Sequence, residues 1–140
     1  MRYTGGCHCG NISIVFQSAL DPAQIEVRAC QCSFCRKHSA CAAADPGGML
    51  TIKVADQARL SRYIFEYRTA EFFICRECGV YVGASTLDEN NRRAILIVDA
   101  LDDRELFSRD PVVVSYDSED PAQRIKRRNE RWMPVAIEFG

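Results

Sequence analysis

Eight cysteines stand in a chain of 140 residues, and all but one fall into three tight groups: Cys7-His8-Cys9, Cys30-Gln31-Cys32-Ser33-Phe34-Cys35 and Cys75-Arg76-Glu77-Cys78. Cys41 stands alone. Thiols that only fill a core scatter along a sequence, whereas metal ligands recur at short fixed spacings. The grouping points to metal chemistry, and thiolate sets of this kind suit zinc.

Zinc closes a structural site with four protein ligands and a catalytic one with three, leaving a position for an exchangeable partner. The cysteines must therefore be divided. Cys9 and Cys78 are each followed by glycine, Gly10 and Gly79, whereas Cys35 is followed by Arg36. Glycine takes positive φ without a Cβ clash, so the backbone can fold over the sulfurs with its N–H groups pointing inward. This shared feature pairs the first group with the last, and Cys7, Cys9, Cys75 and Cys78 are expected to cage one structural zinc. Cys30, Cys32 and Cys35 are left to hold a second. Its fourth position is open or taken by Cys41. If Cys35 starts a helix, a side chain six positions on points well away from it, which favours Cys41 as a packed small side chain. His8 lies between two ligands but is redundant beside four thiols.

Three thiolates around a zinc dication leave a net negative charge, so such an ion activates water poorly yet can still bind a soft thiol and shift it toward thiolate. The second group is thus the candidate catalytic centre. His38 is a candidate proton donor or a surface residue, and Ser39 a local backbone hydrogen-bond partner. A zinc-stabilised binding module, in which both ions only hold the fold, is the alternative. A thiol redox or iron–sulfur centre is a third reading, to be known by reversible disulfides or visible absorption.

The rest of the chain must position these groups, and it reads as mainly β: a small single domain, 1–140, of short antiparallel sheets with one or two short helices. Alternation at Ile12, Ile14, Phe16, at Ile25, Val27, at Leu50, Ile52, Val54 and at Tyr63, Phe65 fits half-buried strands. "EFFIC" and "VYVGAS" flank the last cysteine group as strand, knuckle, strand, and "RAILIV" fits a strand buried on both faces. One helix is expected from Cys35 to Ala44, stopped by Asp45-Pro46-Gly47-Gly48, and another from Asp120-Pro121 to about Arg131. Tyr63, Phe65, Phe72 and Phe73 are expected in the core and pocket wall.

Composition bounds the setting. With 18 basic and 19 acidic residues the net charge is -1, which offers no general attraction to nucleic acid or anionic membranes. The one basic run, in "RIKRRNER" before Trp132, is interrupted by Glu130 and reads as a charged helix face. The N-terminal residues lack an apolar stretch, and no apolar run is long enough for a span, so no signal peptide or membrane segment is expected. A cytoplasmic, soluble protein follows, with homo-oligomerisation left open. A reducing compartment also explains thiols kept for metal rather than paired.

"GGCHCGNISIVF", "CQCSFCRKHSA" and "FFICRECGVYV", in this order and at these separations, resemble the glutathione-dependent formaldehyde-activating enzyme family, which also includes centromere protein V. The resemblance spans about Tyr3 to Val98. It implies a mostly β, zinc-knuckle (Mss4-like) fold with two zinc ions per chain, structural at Cys7, Cys9, Cys75 and Cys78, catalytic at Cys30, Cys32 and Cys35. It further implies a carbon–sulfur lyase acting in its synthetic direction, adding glutathione to formaldehyde to give S-(hydroxymethyl)glutathione. Arg36 and Lys37, next to the last catalytic ligand, would then contact glutathione carboxylates, or else form a solvated pair on a short helix. Two features depart from the family pattern: Ala40-Cys41 stands where glycine and a small residue are common, and the tail from Ser108 onward lies outside it.

Overall fold

The computed structural model describes all 140 residues. In chain order the elements are β1 (Arg2–Gly6), β2 (Ile12–Gln17), β3 (Arg28–Cys30), α1 (Ser33–Lys37), β4 (Ala42–Ala43), β5 (Met49–Val54) and β6 (Leu60–Tyr63). Then follow β7 (Ala70–Cys75), β8 (Tyr81–Thr86), β9 (Arg93–Ile97), β10 (Val112–Val114), α2 (Pro121–Arg131) and β11 (Met133–Phe139). The protein is mainly β with two short α-helices, as the alternation of its apolar residues predicts.

All the strands join one mixed sheet, ordered β1-β2-β5-β11-β9-β4-β3-β10, with β8, β7 and β6 branching from β9. Most pairings are antiparallel, but β11 runs parallel to β5 and β10 parallel to β3. Parallel partners need a crossover, and the sequence pattern within a strand does not reveal which strand it will meet. β11 pairs through Val135 to Phe139 with β5 and through Met133 and Pro134 with β9, so a single strand joins the two halves of the sheet.

Period-two alternation decides which face each side chain serves. Ile12, Ile14 and Phe16 of β2 and Leu50, Ile52 and Val54 of β5 are all buried, and they share the larger core with Phe73, Val82, Leu96, Phe107 and Met133. β7, β8 and β9 are buried on both faces. Their other face sends Phe72, Tyr81, Ala84, Ile95 and Ile97 into a second, smaller cluster that contains Cys35 and Trp132. The strands therefore separate a structural core from the layer that borders the candidate site.

Three expected elements differ in extent. The first helix covers Ser33 to Lys37 rather than reaching Ala44, because Ser39 adopts φ 50° and a Schellman closure follows. The Ala40 N–H bonds the Cys35 carbonyl at 3.0 Å and the Ser39 N–H that of Arg36 at 3.1 Å. Ala42 and Ala43 then pair with β9 as β4, a tertiary contact that overrides the helical preference of alanine. Ile25 and Val27 are buried, but a 3-10 turn capped by Asp21 precedes them and the strand begins only at Arg28. β6 ends at Tyr63 before Phe65, ahead of left-handed Glu66 and Arg68. The second helix runs from Pro121 to Arg131 behind an Asp120–Gln123 capping box, within the expected bounds.

Candidate metal centres and pocket

Two hairpin turns bring the first and last cysteine groups together. Cys7 follows β1, Cys75 ends β7, and the sulfurs of Cys7, Cys9, Cys75 and Cys78 all lie within 4.8 Å of one another. The turns are built alike: the Cys7 N–H bonds the Ile12 carbonyl at 2.9 Å and the Cys75 N–H the Val80 carbonyl at 3.0 Å. Gly10 and Gly79 close them at φ 88° and 78°, a conformation that disfavours any Cβ. Their N–H groups bond the carbonyls of Cys7 and Cys75 rather than the sulfurs. Other donors serve the sulfurs, among them the Ile12 N–H on Cys7 Sγ at 3.2 Å and Arg59 Nη2 on Cys9 Sγ at 3.8 Å.

Tetrahedral zinc–sulfur bonds of about 2.3 Å place sulfurs about 3.8 Å apart. The Cys7–Cys9 and Cys9–Cys75 separations are 3.8 and 3.5 Å, so the four-sulfur set fits such an ion. Burial raises the Cys75 thiol to about 11. Burial also presses Cys78 upward, but backbone N–H groups of Cys9 and Val80 and the thiols of Cys75 and Cys7 outweigh it and bring Cys78 down to about 6. Thiol ligands must lose their protons to bind a metal.

Cys30 ends β3, Cys32 caps α1, and Cys35 lies within it, its N–H bonding Cys32 Sγ at 3.4 Å. The three sulfurs lie within 4.8 Å of one another and no fourth cysteine, histidine or carboxylate joins them. Hydrogen bonding from the Cys30 thiol, then from Cys35, pulls Cys32 far below its ordinary value, while Cys30 and Cys32 push Cys35 far up. Cys41 is elsewhere: it packs against the larger core, and after burial the charges acting on it are Asp99 and Arg104. This sulfur set could hold a metal ion with one position free of protein ligands.

The three cysteines line a pocket that has Phe65, Phe72 and Trp132 among its walls. Phe73 belongs to the larger core instead, and Tyr63 is 47% exposed. Arg36 and Lys37 lie exposed in the last turn of α1, outside the pocket lining. His38 is also exposed, its Nδ1 2.9 Å from the Phe34 carbonyl oxygen, and His8 is exposed outside the four-sulfur set. The cations that line the pocket are Arg28, Arg124, Arg127 and Arg128. Three of them come from α2.

Sequence reasoning missed these arginines because a basic helical run ordinarily faces solvent. α2 does the reverse: Arg124 and Arg128 are buried while Ile125 is 44% exposed. The available signal was the four-residue spacing of Arg124, Arg128 and Trp132, one stripe of the helix. Arg124 is neutralised by Glu66 at 2.6 Å and Glu119 at 3.2 Å, and Arg127 by Glu119 at 2.7 Å. Burial, then repulsion from Arg127 and Arg124, lowers Arg128 to about 10. Tyr81 was also missed. Its hydroxyl is buried without a partner, and burial first, then Cys35, Cys32 and Cys30, hold its pKa well above the ordinary phenol value.

Residues 2–116 match the family described as glutathione-dependent formaldehyde-activating enzyme. The chain belongs to that family. A crystal structure of a Rhodobacter sphaeroides protein is also similar, with 30% identity and a TM-score of 0.57 over 78% of this chain and 99% of that one. No curated protein matches. The formaldehyde-activating family match includes all the clustered cysteines and ends before α2 and β11. No helix is long and apolar enough to cross a membrane.

Proposed function

We propose that the protein is a zinc-dependent carbon–sulfur lyase that adds glutathione to formaldehyde or a related aldehyde, as the family description suggests. The observation that carries this reading is the unequal division of sulfur: four around one centre, three around the other, with the three opening on a pocket. A binding module held together by two closed ions would need a fourth ligand at the second centre, and Cys41 does not supply it.

An ion held by Cys30, Cys32 and Cys35 would stabilise the anion of an incoming thiol. The chain's own residues do the remaining work. Phe65, Phe72, Ile95 and Trp132 give the pocket apolar walls that limit water around the reacting groups. In the addition, a sulfur–carbon bond forms, the carbonyl π pair moves to oxygen, and the proton given up by the thiol ends on that oxygen.

Zinc counting and exchange measurements test the reading together. Wild type is expected to bind two zinc ions and Cys32→Ser one, with the fold kept by circular dichroism and acceleration of glutathione–formaldehyde exchange lost in NMR exchange spectra. Exchange that is equally fast with Cys32→Ser would reject the enzyme.

A further inference from the structure

Arg128 is buried, 8% exposed, and lines the pocket beside the three sulfurs, yet no carboxylate pairs with it. Its neighbours on α2 differ. Arg124 has Glu66, Glu119 and the Tyr116 carbonyl, and Arg127 makes two bonds to Glu119. Arg128 donates only from Nη1, to Thr69 Oγ1 at 2.9 Å, while its Nε is buried without an acceptor. Its Cζ lies over the Trp132 ring, 4.7 Å from the ring centre. What remains is Nη2, which makes no hydrogen bond within the protein and, unlike Nε, is not closed off from the surface, so it is the group left to take a carboxylate.

A buried guanidinium without a counter-ion is unfavourable, and a bound carboxylate would supply the missing partner. The charge around the pocket agrees: four arginines line it against Glu66 and Asp117, and Glu66 is already committed to Arg124. We infer that Arg128 anchors a carboxylate of the substrate through Nη2, so that α2 restricts the pocket to carboxylate-bearing thiols. The inference rests on the pocket beside Cys30, Cys32 and Cys35 being the substrate site. It assigns recognition to a segment outside the family match, which ends at residue 116.

Trp132 is the sole tryptophan of the chain and lies against Arg128, so its fluorescence reports occupancy directly. The zinc-loaded protein would be titrated with S-methylglutathione, which lacks a free thiol, and with the diethyl ester of the same compound, which lacks both carboxylates. Wild type is expected to bind the acid at least about tenfold more tightly than the ester, the scale of one charge-assisted pair. Arg128→Met should bring that ratio close to one, Arg128→Lys should leave an intermediate value, and Arg131→Met, the same charge loss at an exposed position of α2, should not change it. Equal affinity of wild type for acid and ester overturns the inference, as does an undiminished ratio in folded Arg128→Met. If that variant does not fold, Arg128→Lys decides, and a ratio there equal to that of wild type overturns the inference. Selective binding without any exchange activity would defeat the proposed reaction while leaving the carboxylate anchor in place. Exchange activity without selectivity would do the opposite.

Discussion

Gly79 holds φ at 78° in the turn that carries Cys75 and Cys78, and a Cβ placed there meets no atom within 4 Å. Alanine at this position would therefore be opposed by backbone conformation alone, not by crowding. Gly79→Ala is expected to cost about 1–2 kcal/mol, the penalty of a left-handed residue, read as a lower urea midpoint of the zinc-loaded protein. The two knuckle glycines are also where the residue types spoke most plainly, since cysteine spacing followed by glycine separated the closed sulfur set from the open one. Arg128 gave no comparable signal. Its role depends on which way α2 turns, and a helix carrying arginine at positions 124, 127, 128 and 131 presents cations in several directions. Only the packing of Trp132 and Thr69 against Arg128 fixes the answer.

At the scale of the element, α2 is held by ion pairs more than by apolar contact, and Glu119 is the centre of them. Burial would raise its carboxyl, but hydrogen bonds from Arg127 and Arg124 overcome that and hold it below the ordinary carboxylate range. A carboxyl whose pKa is lower in the folded than in the unfolded chain adds stability above its unfolded value, near about 4.3, and loses it as pH falls through the folded value. Wild type should accordingly lose thermal stability more steeply than Glu119→Gln as pH drops from about 5 to about 3. Thiolate protonation affects both proteins alike, so the difference between their melting curves isolates Glu119, and parallel curves would show that it does not hold α2. The bounds of α2 were legible because Asp120, Pro121 and Gln123 form a local capping signal. Those of α1 were not: alanines 42 and 43 favour helix locally, and only pairing with β9, after the left-handed turn at Ser39, makes them a strand.

Across the whole molecule, the four-sulfur centre ties the β1–β2 turn to the β7–β8 turn, well separated in the chain, whereas the three-sulfur centre draws on one local segment. Loss of a ligand should therefore have unequal effects. Cys78→Ser is expected to leave the protein largely unfolded, because metal-ligand free energy in such cages is folding free energy of order 10 kcal/mol, while Cys32→Ser folds. Circular dichroism and proteolysis of the two variants side by side would check it, and a native Cys78→Ser protein would contradict it. The mixed sheet itself was only partly readable, since alternation marks strands but says nothing of β11 joining both halves. Placing α2 and β11 late in the chain has a temporal consequence. A ribosome adds roughly 5–20 residues each second, so Cys30, Cys32 and Cys35 emerge seconds before the segment that covers them is made. If the three sulfurs hold a metal as proposed, a nascent chain could take it up before it is able to choose what that metal meets.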